Sequence, residues 1–76
     1  MMLSQLPIGS SGKVETILPY CEIRRRLQDI GLIENTTVTC LFQSPLGDPR
    51  AYRIRGAVIA LRKRDADFVK IKEVMT

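Results

Sequence analysis

Residues 44–64 restrict the fold of this chain more than any other stretch. They open on the turn Pro45-Leu46-Gly47-Asp48-Pro49 and continue as two short runs that meet at Gly56. In the first run, residues 50–55, Tyr52 and Ile54 alternate with Ala51, Arg53 and Arg55. In the second, residues 57–61, Ile59 and Leu61 share a face. Period-two alternation bounded by turn residues is the pattern of a half-buried strand. Where the two strands join, Gly56 supplies a backbone conformation or a close approach that a side chain would block. Nothing in this stretch carries catalytic chemistry.

The flanking segments read as elements that pack with these two strands. Residues 3–12 form a short lead-in strand or extended arm, followed by a glycine-rich turn at Gly9 and Gly12. A strand over 13–18 follows, with Val14 and either Ile17 or Leu18 inward, and Pro19 ends it because proline cannot donate to a ladder. The spacing of Tyr20, Ile23, Leu27 and Ile30 predicts a helix over 20–30 with one apolar stripe, and Glu22, Arg25 and Asp29 opposite. Glu22 with Arg26, and Arg25 with Asp29, stand four apart and can pair on that helix. Gly31 is placed as its left-handed cap, with Leu32 folding back on the last turn.

A central strand is expected over 36–42, with Val38, Cys40 and Phe42 on one face, and Asn35 before it suits a left-handed turn. Residues 63–67 make a tight helical turn. Residues 68–74 alternate as a last strand, Val69, Ile71 and Glu73 against Phe68, Lys70, Lys72 and Val74. The fold class that follows is mainly β: a small, partly open barrel of about five strands with one inserted helix. The whole of residues 1–76 is one domain.

At 76 residues the chain buries only about 60% of its unfolded surface, so its stability margin is thin. With 45% hydrophobic but 5% aromatic residues, the core must be built from Val, Ile and Leu. The net charge of +4 permits an acidic partner, a nucleic acid or an anionic surface, and demands none, because eight acids lie among the twelve bases. The first residues show neither a basic n-region nor a long apolar run, so no signal peptide is expected. No apolar run reaches the ~20 residues a membrane helix needs. A soluble, cytoplasmic protein is the expectation.

The motifs that could carry chemistry are weak. Gly9-Ser10-Ser11-Gly12-Lys13 has a spacer two residues short of a phosphate-binding loop, lacks the hydroxyl residue after Lys13, and leads into a strand rather than a helix. Cys21 and Cys40 are two thiols without any histidine, short of a four-ligand metal set. Cys40 reads as a small core hydrophobe, Cys21 as a semi-exposed thiol near a helix start. Without histidine, Ser-His-Asp and Cys-His catalysis are excluded. Asp65 and Asp67 on a surface turn do not make an acid/base pair, so no catalytic residue is assigned and an enzyme is not expected.

Two basic groups remain, Arg24-Arg25-Arg26 on the helix and Arg50, Arg53, Arg55, Arg62, Lys63 and Arg64 beyond the turn. A nucleic-acid groove sets stacking aromatics beside such bases. Of Tyr20, Phe42, Tyr52 and Phe68, three read as buried or strand-internal. An acidic protein surface is therefore the better partner for these arginines.

Taken in order, the chain resembles the bacterial ferrous iron transport protein A family (FeoA-type). The resemblance rests on Leu3, Leu6, Gly9, Gly12 and Val14, on Arg25-Arg26-Leu27, and on Gly31-Leu32-Ile33. It continues through Pro45-Leu46-Gly47-Asp48-Pro49, Arg53-Ile54-Arg55-Gly56, Ile59-Ala60-Leu61-Arg62 and Asp65-Ala66. Glu34-Asn35 replaces a common Pro-Gly turn, and Val58 is apolar where a polar residue is usual. The resemblance implies an SH3-like barrel and a cytoplasmic accessory protein, peripheral to the inner membrane through its partner. That partner would be the membrane ferrous iron transporter with its GTP-binding domain. It implies no catalytic site, metal site, cofactor or small-molecule substrate.

On this reading the partner-binding residues are Arg24 and Arg25 on the helix with Leu46, Gly47 and Asp48 on the turn, and Gly12, Gly31 and Gly56 are structural. The same barrel is similar to the C-terminal domain of metal-dependent repressors. A nucleic-acid-binding barrel, or a metal sensor or chaperone using Cys21 and Cys40, are the other classes.

Overall fold

The alternation read at residues 50–61 folds as a tight hairpin. Strand β3, Arg50–Ile54, pairs with β4, Ala57–Leu61, in the register Ile54↔Ala57, Tyr52↔Ile59 and Arg50↔Leu61. The two loop residues, Arg55 and Gly56, sit at φ 51° and 80°, the pair of positive values a two-residue hairpin needs. A Cβ on Gly56 would meet nothing within 4 Å, so the glycine serves conformation and not a close approach.

The computed structural model describes residues 1–75. Strands β1 (Ser11–Ile17), β2 (Thr37–Gln43) and β5 (Val69–Met75) complete one antiparallel sheet in the order β4-β3-β2-β1-β5. Helix α1 (Arg24–Asp29) lies between β1 and β2, and helix α2 (Lys63–Ala66) between β4 and β5. The expected mainly-β architecture with a small inserted helix is the one observed.

Three irregular pairings decide which side chains face the core. Between β1 and β5 the register runs Val14↔Ile71 then Thr16↔Lys70, so Glu15 is an extra residue. The bulge resets the period, which is why Val14 and Ile17 are both buried. A second shift lies where Ser11↔Met75 gives way to Lys13↔Lys72, and there Glu73 takes φ 52° and turns outward. Between β2 and β3, Cys40↔Tyr52 is followed by Phe42↔Ala51, leaving Leu41 extra. Phe42, expected inside with Val38 and Cys40, is therefore 57% exposed.

Other expectations are also corrected. The helix predicted over 20–30 is only six residues long, because the chain after Pro19 takes two successive tight turns before it. These are closed by Cys21 N–H to Leu18 O and Arg24 N–H to Cys21 O, each 3.2 Å. The turns displace the expected stripe: Cys21 is buried at 7% exposure, whereas Tyr20 is 71% exposed and rests edge-on against Phe68. Cys21 is thus a core residue and not a semi-exposed thiol. Among the described residues, neither Glu22–Arg26 nor Arg25–Asp29 forms an ion pair.

Gly31 (φ 110°) and Asn35 (φ 70°) do take the left-handed conformation, and Leu32 folds back with its N–H on Leu27 O at 3.0 Å. Gly12 lies inside β1 and not in a turn; the turn glycine is Gly9. A Cβ on Gly12 would stand 2.5 Å from Ile71 Cγ2.

The lead-in is neither strand nor loose arm. Leu3–Gln5 forms a single 3-10 turn whose flanking leucines, Leu3 and Leu6, are fully buried in the core with Val14, Leu27, Leu32, Val38, Tyr52 and Ile54. Arg50 Nη1 donates to Ser4 O at 2.7 Å, and the Ser4 hydroxyl donates to Asp67. That bond is the main reason the Asp67 carboxyl is held below its ordinary range; partial burial opposes it and Lys63 assists.

Two stability predictions follow from this packing. Gly12→Ala must displace Ile71 and lowers the unfolding free energy by about 1–3 kcal/mol in urea titrations. A lowered native pKa gives Asp67 a stabilising contribution that is complete above about pH 4 and lost as pH falls through the native value. Ser4→Ala therefore flattens the acid limb of a stability–pH curve.

Candidate functional site

The residues expected to form the contact surface fall on separate elements. Arg24 and Arg25 begin α1 and are exposed. Arg24 borders a shallow cleft that α1 makes with Glu15 and Thr16 of β1 and with Ile33 and Glu34. On the turn, Leu46 is 95% exposed. Gly47 takes φ 88° and donates its N–H to Ser44 O at 2.8 Å. Asp48 is already engaged: its Oδ1 accepts the Lys63 N–H at 2.8 Å, satisfying one of the free donors at the start of α2. The turn is thus anchored to α2, while Arg24 faces β1. Among the described residues, Leu46, Arg24 and Arg25 are the members with exposed side chains that enter no hydrogen bond or ion pair.

A second surface was not assembled by reading the sequence. Ile23, Arg26, Leu27 and Ile30 on the α1 side face Ile59, Ala60, Leu61 and Arg62 across a cleft of about 310 Å³. A neighbouring cleft of about 410 Å³ is lined by Tyr20, Cys21, Glu22 and Phe68. Both share Ile23, Arg64 and Asp65, so they run together as one groove along α2. The sequence held its signals separately: the Ile23, Leu27, Ile30 stripe, the apolar Ile59 and Leu61, and the arginines at 26, 62 and 64. No single-strand or single-helix pattern says that a helix stripe and a strand 30 residues later share a wall.

Inside the core, burial pushes the Cys40 thiol and the Tyr52 hydroxyl up, and the Arg50 charge partly opposes both. Cys21 and Cys40 are both buried and unbonded. Among the described residues, no group of three or more Cys, Asp or Glu side chains gathers as a metal cluster.

A five-stranded antiparallel module with this order and one inserted helix is a small SH3-like domain. Residues 1–73 match the FeoA domain, and the chain belongs to the FeoA family. The FeoA-like protein from Clostridium acetobutylicum has 33% sequence identity and a TM-score of 0.88, the match covering 95% of this chain and 84% of that one. FeoA from Stenotrophomonas maltophilia, solved in complex with zinc and described as a procaryotic SH3 domain protein, gives 29% identity and 0.84, covering 95% and 89%.

A fusion protein from Porphyromonas gingivalis (strain ATCC BAA-308 / W83) joins Fe(2+) transport protein A and the Fe(2+) transporter FeoB. It is 29% identical over 72 residues, covering 95% of this chain, and the chain spans only 8% of that relative's length. A manganese-dependent transcriptional repressor at 19% identity and TM-score 0.84 shares the fold alone.

The anchoring of the turn has a measurable consequence. Asp48→Ala leaves the Lys63 N–H without its acceptor and costs about 1 kcal/mol. Asp48→Asn keeps an acceptor oxygen and retains most of that stability in the same unfolding assay.

Proposed function

We propose that this chain is an accessory and regulatory module of ferrous iron uptake, not an enzyme, acting by contact with the membrane Fe(II) transporter and its cytosolic GTP-binding domain. The observation that carries this reading is the P. gingivalis relative, whose name couples the same module to the transporter FeoB in one chain. Covalent linkage holds two partners at high effective concentration. Where the two are not joined, the module's own surface supplies the encounter. Among the described residues no helix is long and apolar enough to cross a membrane. On this reading the module meets the membrane through its partner, from the cytosolic side.

Such a module shifts its partner only by binding one state of it more tightly than another. Leu46 and the Arg24-Arg25 face of α1 are placed in the contact. Leu46 is apolar and almost wholly exposed, which a free surface tolerates singly and an interface uses. The arginines offer planar, charge-assisted hydrogen bonds to carboxylates. Gly47 and Asp48 fix the turn that presents Leu46.

Titration of the protein against the purified cytosolic domain of the transporter, with GDP and with a GTP analogue, is expected to show nucleotide-dependent binding. A random oligonucleotide serves as the control ligand. Salt-sensitive oligonucleotide binding, with none to the transporter domain in either nucleotide state, would overturn the reading. Leu46→Ala combined with Arg25→Glu is expected to weaken transporter binding about tenfold or more with folding intact, since exposed changes cost little stability. Unchanged binding would remove the contact from these residues.

A further inference from the structure

We propose that the free edge of β4 and the groove beside it receive an extended, acidic and apolar segment of a protein partner as an added strand. The inference rests on reading the chain as a protein-contact module, and it names a second contact with its own chemistry.

The two edges of the sheet are treated differently. On β5 the Ile71 N–H donates to Met1 O at 2.7 Å and Met2 bridges Lys70, so the N-terminal residues cover part of that edge. Lysines 70 and 72 and the bulge at Glu73 guard it further. At the other edge, β4 pairs only with β3 among the described residues. Its five residues, Ala57, Val58, Ile59, Ala60 and Leu61, include no charge and no proline. The usual devices that stop an edge from accepting another strand are missing from it.

The register says which backbone groups are on offer. In a two-residue hairpin the flanking pair, here Ile54 and Ala57, exchanges both hydrogen bonds, and the pattern then alternates. The N–H and C=O groups of Val58 and Ala60 consequently face away from β3. Among the described residues, no other backbone or side-chain group bonds to them. Strand addition supplies the bonds that such an edge lacks, while alternate side chains of the added segment enter pockets. The cleft between α1 and β4 is that pocket, with Leu27 and Leu61 buried at its floor and Ile23, Ile30 and Ile59 half-buried along it.

Charge selects the occupant. Arg26, Arg62 and Arg64 line the cleft with Asp65 as the one acid, and none of the three arginines takes part in an ion pair among the described residues. Paired antiparallel about Ile59, a second copy of this chain sets Arg55 beside Lys63, and in any register it brings a net charge of +4 toward the same arginines. Like charges opposite one another destabilise a strand pair. An acidic segment gains where a second copy loses. Proline-rich peptides need an aromatic-lined groove, and the part of the groove beside β4 is lined by no aromatic ring, Tyr20 and Phe68 lying in the neighbouring part.

The probe is the nonapeptide Glu-Val-Glu-Ile-Glu-Val-Glu-Ile-Glu, titrated into the isotope-labelled full chain and followed by NMR. Expected are shifts at Val58, Ala60 and Arg62, at least about tenfold slower exchange of the Val58 and Ala60 amides, and loss of binding when Lys replaces Glu. N-methylation of alternate peptide amides is expected to weaken binding about tenfold in one phase and little in the other, because only one set faces β4.

Val58→Pro removes an outward donor without touching the β3 ladder and is expected to weaken peptide binding similarly. If that variant fails to fold, the N-methylated peptides decide with the protein unaltered. No binding, shifts confined to Leu46 or α1, indifference to N-methylation in both phases, or self-association of the free chain through β4 would each overturn the proposal. Transporter domain binding that survives Val58→Pro, with no peptide binding to the native chain, sinks this inference alone. Peptide binding at β4 without any transporter binding sinks the transporter reading and leaves the edge site standing.

Discussion

The burial of Leu3 and Leu6 is what lets so short a chain close a core. The 3-10 turn at the N-terminus adds both leucines to the core of a sheet whose strands are only five to seven residues long. It is held from three sides: Arg50 reaches the Ser4 carbonyl, the Ser4 hydroxyl reaches Asp67, and the Tyr52 hydroxyl donates to Leu3 O at 3.4 Å. These contacts join residues 46 to 63 positions apart, so the first residues of the chain tie β3 and the end of α2 together. Arg50 is thereby withdrawn from the basic group that composition alone would assign to a partner surface.

The same N-terminal segment creates the asymmetry between the two sheet edges. By bonding to Ile71 and bridging Lys70 it covers part of β5, and among the described residues no comparable segment reaches β4. A helix of six residues stands off from β4 and leaves a groove instead of a packed interface. In a domain this small, an unoccupied edge beside an apolar cleft is costly to keep unless something covers it in use. The chain belongs to the FeoA family, and one relative joins such a module to FeoB in a single chain.

Much of the fold was legible because its signals are local. The β3–β4 pair, the left-handed Gly31 and Asn35, the return of Leu32 onto α1, and the inward Val38, Cys40, Tyr52 and Ile54 each follow from a few adjacent residues. The failures share a different cause. Bulges at Glu15, Leu41 and Glu73 are properties of two strands meeting, and each turned a strict alternation by one residue. Phe42 left the core for that reason. The turns after Pro19 did the same to the helical stripe, exchanging Tyr20 for Cys21. Of the expected contact residues, Leu46 and Arg25 are exposed, whereas Asp48 is tied to α2. The groove was invisible because its walls come from residues 23–30 and 59–65, which only folding brings together.

By itself the sequence determined most of the element types, most of the inward-facing residues, the absence of histidine-based catalysis and the family. Those depend on side-chain period, turn chemistry and residue identity, all of which are written along the chain. Tertiary structure decided the bulge positions, the N-terminal plug, the burial of Cys21, the close approach at Gly12 and the open edge of β4. Each of those is set by which surfaces run out of partners when a chain of 76 residues closes, and that is a property of the whole packing.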